Sequence, residues 1–241
     1  MRWPSKAFRF WPTTELVLLG IGIVLIGLVV ATIVLSILHL LPSLVNPQKN
    51  LMAVIGAVFV FVEAPIVVLV IARLPRLTSF SLRELGFVLP TWRTVGIAVL
   101  GTVTATLLTA AVGSALQAVT HQHHTQDVVK LFLGLHDRRQ VALFALYAIA
   151  LAPVAEETVF RVFIFNVGLR YGGFWWGAAV SGILFGLAHG SLLDAIPLAC
   201  VGMVFCGVYY VTRNAFASMI SHGLFNALSL VALLFLPQIA Q

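Results

Sequence analysis

Polar and apolar positions fall here into long blocks, not into the short alternations of a soluble domain. Glu15–Leu41 is an apolar run of 27 residues, Leu51–Leu74 a second run interrupted by Glu63 and Pro65, and Arg93–Thr120 a third, rich in Gly, Ala and Thr. Gln140–Arg170, Phe174–Gly190, Ile196–Val211 and Ala215–Leu236 continue the series. A helix needs about 20 apolar residues to cross a bilayer, so the pattern predicts an all-α, polytopic transmembrane helix bundle of about seven spans. Gln140–Arg170 is too long for one straight crossing, and Pro153 is the expected kink. Small residues in the third span suit close helix packing in lipid.

The connecting stretches are short. Met1–Thr14 is a basic, Trp-containing leader, Pro42–Asn50 a turn, Pro75–Trp92 a polar and basic connector, and Arg213-Asn214 a tight turn. Glu15–Leu41 exceeds the roughly 7–15 residues of a secretory signal core, so it reads as a retained anchor. His121–Arg139 is the longest polar loop and carries His121, His123, His124 and His136. Closely spaced loop histidines are usually solvated, and no complete metal-ligand set is visible among them. Val128–Leu135, within that loop, is apolar enough to lie on the bilayer surface.

Composition supports the same class. The chain is 61% hydrophobic and 9% charged, against about 45–50% and about 25% for soluble domains. The net charge of +6 sits in short loops between spans and points to topology, not to nucleic acid. With the N-terminus inside, the inner loops hold Arg2, Lys6, Arg9, Arg73, Arg76, Arg83, Arg93, Arg170 and Arg213, and the outer loops hold Lys49, Lys130, Arg138 and Arg139. That asymmetry predicts an inside N-terminus and an outside C-terminus. Trp175 and Trp176 suit a membrane interface. Cys200 and Cys206 lie about 240° apart around one helix and cannot bridge each other there.

Three charges interrupt the fourth span, at Glu156, Glu157 and Arg161. Ionisable groups at membrane depth are costly and normally face a bundle interior or a wet cavity. Glu157 and Arg161 stand i to i+4 with the acid on the N-terminal side, the favoured order for a pair. Glu156 lies about 140° around the helix from Arg161, so it points elsewhere without a partner on its own helix. Phe185 and His189 share one helix face at the end of the fifth span, as His222 and Asn226 do in the seventh. At about 1.5 Å per residue, Glu156, His189 and Asn226 lie about 21, 22 and 16 Å in from the inner ends of their spans, and His222 about 10 Å. A carboxylate, two imidazoles and a carboxamide can therefore meet in a cavity among spans four, five and seven. Taken singly, the Glu–Arg pair would serve as a clasp between spans, a lone histidine or Phe185 as packing, and Glu63 as a partner for a kinked neighbour.

In their order, Glu156-Glu157-xxx-Arg161, Phe185-xxx-His189 and His222-xxx-Asn226 resemble the CPBP family, the CAAX prenyl proteases and bacteriocin-processing (Abi-type) intramembrane proteases. Leu82-Arg83-Glu84-Leu85-Gly86-Phe87 with Trp92, and Arg213–Ser218 leading into His222, resemble bacterial members. The resemblance covers Gln140–Leu236, with a weaker echo from Leu82. It implies one integral membrane domain over residues 1–241, in which 1–139 supply spans one to three and the polar loop, and 140–236 the catalytic core.

The implied activity is intramembrane endopeptidase, hydrolysing a membrane-associated peptide or protein in a prokaryotic cytoplasmic membrane. Glu156 would be the general base on water, His189 would orient or deprotonate that water, and His222 and Asn226 would donate towards the oxyanion. Glu157, Arg161 and Phe185 would support them. Family members have been described both as metalloproteases and as metal-free glutamate proteases. The expectation here is no cofactor, because Asn226 is a poor zinc ligand and no closed ligand set is visible. Zinc stays possible, held by Glu156, His189 and His222. Two other classes keep a place: a proton- or cation-coupled transporter, weakened by the lack of an internal repeat, and a non-catalytic peptide-binding immunity or scaffold protein. The substrate, the use of prenylated tails and the oligomeric state are not written in the sequence.

Overall fold

The computed structural model describes residues 63–78, 80–121, 127–189 and 192–235, together with Gly22. The leader, the first span apart from Gly22, most of the second, and His123 and His124 lie outside the described residues. Every regular element among the described residues is helical. They are α1 (Ala64–Thr78), α2 (Trp92–Thr120), α3 (Asp127–Leu133), α4 (Arg138–Leu146), a π-helical segment π1 (Tyr147–Leu151), α5 (Ala152–Glu157), a second π-helical segment π2 (Thr158–Phe165), α6 (Asn166–Leu187), α7 (Leu192–Thr212) and α8 (Ala215–Phe235). Four helical runs are long and apolar enough to cross a membrane: Trp92–Thr120, Arg138–Leu187, Leu193–Thr212 and Ala215–Phe235. The chain is a multi-pass helical membrane protein.

The 50-residue run from Arg138 to Leu187 is not straight. Gly173 takes φ 74° and ψ −168°, a conformation open only to glycine at acceptable cost, and the helix folds back on itself there. Ser181 then donates to the Phe160 carbonyl at 2.7 Å, and Phe165 meets Phe174 edge-on. This hairpin divides the run where the sequence reading separates spans four and five. Beyond it, the chain packs α7 antiparallel to α6. A Cβ at Gly186 would stand 2.2 Å from the Ala195 carbonyl oxygen, and one at Gly182 would stand 2.6 Å from that of Ala199. Backbones this close are the small-residue packing that lipid-embedded helices use in place of a hydrophobic driving force.

α2 starts on a capping box, in which Thr91 and Thr94 each satisfy the other's backbone N–H. Its buried face is Ala98, Gly101, Thr102 and Ala105, one helical stripe set against α7 and α8. Thr102 donates to the Ser221 carbonyl at 3.0 Å. The opposite face exposes Val99, Leu100, Val103 and Leu107, as a lipid-facing helix should. Trp175 and Trp176 are exposed beside the hairpin turn. Both cysteines are free.

Two boundaries differ from the sequence reading. α1 continues through Pro75 to Thr78, where a connector was expected from Pro75. The stripe of Ile66, Val70 and Leu74 is buried with Phe80, and that burial offsets the one backbone bond proline removes. α7 begins at Leu192, four residues before the expected Ile196, with Asp194 in its first turn, where an acid favours the helix dipole. The segment expected on the bilayer surface falls largely within α3, with Phe132 and Leu135 buried against Phe144 and Leu230 and Leu133 exposed.

The connector 80–91 also has a fixed place. Tyr209 donates to the Leu85 carbonyl at 2.9 Å, Asn214 to that of Val88 at 3.0 Å, and Ala215 N–H to that of Gly86 at 2.8 Å. The Leu82–Phe87 motif therefore grips the α7–α8 turn and holds the end of α8 from which His222 projects.

Candidate active site

The site is built on the bend that precedes Glu156. In π1 the Ala152 N–H reaches back to the Tyr147 carbonyl. The next donor in that register would be residue 153, which is proline and has no N–H. The Ala148 carbonyl is thus left without a helical partner, and Asn226 Nδ2 donates to it at 2.7 Å. A kink was expected at Pro153; the irregularity beside it is a π-helical turn, a feature that clusters at functional sites. Gly223 lets α8 come this close, since a Cβ there would lie 2.4 Å from the Ile149 carbonyl oxygen.

Past the bend the two glutamates part. Glu157 and Arg161 are fully buried and meet at 2.9 Å. The guanidinium also donates to the Gly202 carbonyl at 3.1 Å and lies over the rings of Phe185 and Phe205, 4.5 and 5.2 Å from their centroids. A buried cation needs this enclosure of acceptor, carboxylate and π faces. Glu156 keeps 23% of its side chain exposed and His189 31%. Of the two acids, Glu156 is the one with a partly exposed side chain, while its Oε2 faces inward.

Glu156 Oε2 stands 3.9 Å from His189 Nε2 and 3.9 Å from His222 Nε2, and it has no hydrogen-bond partner among the described residues. Both imidazoles are fixed from behind. His189 Nδ1 is 2.7 Å from the Phe185 carbonyl, and His222 Nδ1 is 2.9 Å from Glu157 Oε1. A carbonyl accepts only, and Glu157 Oε1 already meets Arg161, so each Nδ1 carries the proton and each Nε2 faces Glu156. Phe205 stacks on His222 at 5.0 Å, and Phe185 lies edge-on to it at 5.5 Å and against His189 at 4.7 Å.

Of the residues singled out in the sequence, Glu156, His189 and His222 are brought together, with Glu157, Arg161 and Phe185 packed behind them. Asn226 lies one turn along α8 from His222, with its amide on Ala148. Sequence reasoning missed the link from Glu157 to His222, together with Phe205, Gly202 and Tyr147. Glu63 does pair with a kinked neighbour, since Tyr147 in π1 donates to its carboxylate. Among the described residues, no group of three or more His, Cys, Asp or Glu is arranged to hold a metal ion.

The family model described as "Type II CAAX prenyl endopeptidase Rce1-like" matches residues 138–228, a stretch that contains every site residue from Tyr147 to Asn226. "Putative membrane peptidase YdiL" of Bacillus subtilis is 24% identical over 86 residues, 36% of this chain. The chain spans about a third of that protein's length, 35%. No solved structure gives a significant match. These findings bear out the resemblance carried by the ordered motifs, over the part of the chain that holds the site.

Proposed function

We propose that this chain is an intramembrane endopeptidase in which Glu156 activates a water molecule against a peptide bond of a membrane-associated peptide or protein. The supporting observation is the paired 3.9 Å separation of Glu156 Oε2 from His189 Nε2 and His222 Nε2. That is too long for direct hydrogen bonds and suits one water that donates to Glu156 and to His189 Nε2, with His222 alongside. Glu156 takes a proton from this water, and the oxygen attacks the scissile carbonyl. The C–N bond then breaks as the proton passes to the leaving amine. His189, with Nδ1–H on the Phe185 carbonyl, offers Nε2 as an acceptor that orients the water.

His222 has a narrower role than the motif alone suggests. Its Nδ1–H is held by Glu157, so Nε2 donates to an oxyanion only when both ring nitrogens carry protons. Glu157 is placed to stabilise that doubly protonated ring, as a buried carboxylate does behind a catalytic histidine. Asn226 uses one amide hydrogen on Ala148 and keeps the other for the oxyanion.

Our reading is metal-free. Zinc bonds of about 2.0–2.1 Å in tetrahedral geometry would set donor atoms about 3.3–3.4 Å apart, and the Glu156–histidine separations are wider. Were a metal bound, Glu156, His189 and His222 would hold it. The deciding experiment is cleavage of a membrane-peptide library by purified protein in lipid, with vesicle flux followed in parallel. Products that appear with wild type and vanish with Glu156→Gln support the reading. Flux without cleavage would replace it with transport.

A further inference from the structure

Glu63 stands at the entry to α1, and its side chain crosses to π1, where the Tyr147 hydroxyl donates to Oε1. This bond ties α1 to the same turn that presents the Ala148 carbonyl to Asn226. The second oxygen, Glu63 Oε2, is buried and has no hydrogen-bond partner among the described residues. The pair is close to the Glu156 cleft: α1 packs against α5, which carries Glu156, and against π2, which follows it.

Among the described residues, the charge balance of this interior is uneven. Glu63, Glu156 and Glu157 share it with the guanidinium of Arg161, which is engaged by Glu157. Ionisable groups at membrane depth persist when they are paired or line a functional cavity. A carboxylate gripped on one oxygen and buried without a partner on the other is an unsatisfied acceptor, and a cationic donor gives it the strongest hydrogen bond.

We propose that Glu63, held by Tyr147, is a subsite beside the Glu156 cleft for a positively charged group of the peptide substrate: a lysine or arginine side chain, or a free amino terminus. The inference rests on the peptidase reading of that cleft. The Tyr147 bond fixes the direction of the unpartnered oxygen, so the cation is recognised at one register relative to the scissile bond.

The test uses the purified full chain in lipid nanodiscs and apolar model transmembrane peptides. Each peptide carries a single lysine, moved through successive positions, and is compared with its norleucine counterpart. Binding is read by fluorescence, independently of turnover. Lysine at one position should bind about tenfold tighter or more, the scale of one charge-assisted hydrogen bond. That ratio should collapse in Glu63→Gln, which still offers Tyr147 an acceptor, and should shrink in Tyr147→Phe. Should Glu63→Gln fail to fold, Tyr147→Phe carries the same comparison. Wild type without a lysine preference at any position, or a preference that survives both substitutions, overturns the subsite. A preference without any cleavage overturns the peptidase reading alone. Cleavage that treats lysine and norleucine peptides alike overturns the subsite alone.

Discussion

His222 Nδ1 lies 2.9 Å from Glu157 Oε1, the oxygen that Arg161 also reaches at 2.9 Å. One carboxylate thereby fixes a guanidinium on its own helix and an imidazole from α8, and couples the stability of the bundle to the geometry of the site. Glu157→Ala leaves the Arg161 guanidinium buried without its carboxylate, and Arg161→Ala leaves Glu157 without its cation. Each should cost about 3–5 kcal/mol and lower the unfolding midpoint measured in mild detergent. The double variant should cost less than the sum of the two, because it removes both charges. Additive losses would show that the pair does not act as a unit.

Glu156 should behave in the opposite way. Its Oε2 has no hydrogen-bond partner among the described residues, so Glu156→Gln orphans no buried group there. Cleavage of a verified substrate should fall to background while thermal unfolding stays at the wild-type midpoint. Retained turnover in Glu156→Gln would remove this residue from the mechanism.

The separate fates of the two glutamates were legible in the sequence, because helical phasing alone turns Glu156 away from Arg161. The hairpin at Gly173 was legible too, as the gap between an apolar run ending at Arg170 and the next starting at Phe174. Contacts across the bundle were not. Nothing in the local pattern says that Glu157 reaches His222, or that Phe205 stacks on it, since both meetings depend on how α7 and α8 dock. The Asn226–Ala148 bond was half legible: Pro153 announces a missing N–H, but which carbonyl is orphaned depends on the register of π1. The two boundary differences have a common cause, because burial and helix-end electrostatics extend helices past the residue where apolarity stops.

Gly223 tests how tightly α8 must sit against π1. A Cβ there would meet the Ile149 carbonyl oxygen at 2.4 Å, and backbone cannot swing aside as a side chain can. Gly223→Ala should push α8 away, shift His222 and Asn226 together, and lower both stability and cleavage by well over tenfold in rate, since misplacement of about 1 Å can cost about 100-fold. Gly113→Ala is the matched control, because a Cβ there meets nothing within 4 Å. It should be neutral or stabilising by up to about 1 kcal/mol. Equal behaviour of the two variants would refute the close-approach argument.

Outside the membrane, the connector carries a pH dependence whose sign is fixed by Glu84. The backbone N–H and hydroxyl of Ser81 both donate to its Oε2 at 2.8 Å and hold its carboxyl below the ordinary value of 4.5. A depressed carboxylate contributes its stabilisation above the unfolded value and loses it as pH falls through the folded one. The Ser81–Glu84 turn should therefore hold from neutral pH down to the ordinary carboxyl range and loosen below it. Amide exchange at Ser81 and the carboxyl titration of Glu84 would show this. A Glu84 midpoint at or above 4.5 would contradict the bonding.

The choice between a metal-free and a metal-bound water cannot be made from an acid limb in the rate profile. A carboxylate base and a zinc-bound water both lose activity on acidification, the latter because its pKa sits near 7. Ligand loss distinguishes them. Each imidazole here is anchored through Nδ1, to the Phe185 carbonyl and to Glu157, and either Nε2 would be free to coordinate. If water is held by Glu156 and His189 alone, exhaustive chelation should leave cleavage intact, provided equilibration is long enough to reach a membrane-buried site. Elemental analysis of purified protein should then find well under one zinc per chain, and His189→Ala should lose activity without any change in metal content. Stoichiometric zinc that disappears in His189→Ala or His222→Ala, with cleavage restored by added zinc, would make both histidines ligands. It would also require the cluster to close from its 3.9 Å separations to tetrahedral spacing, a movement that a metal-loaded structure would reveal directly.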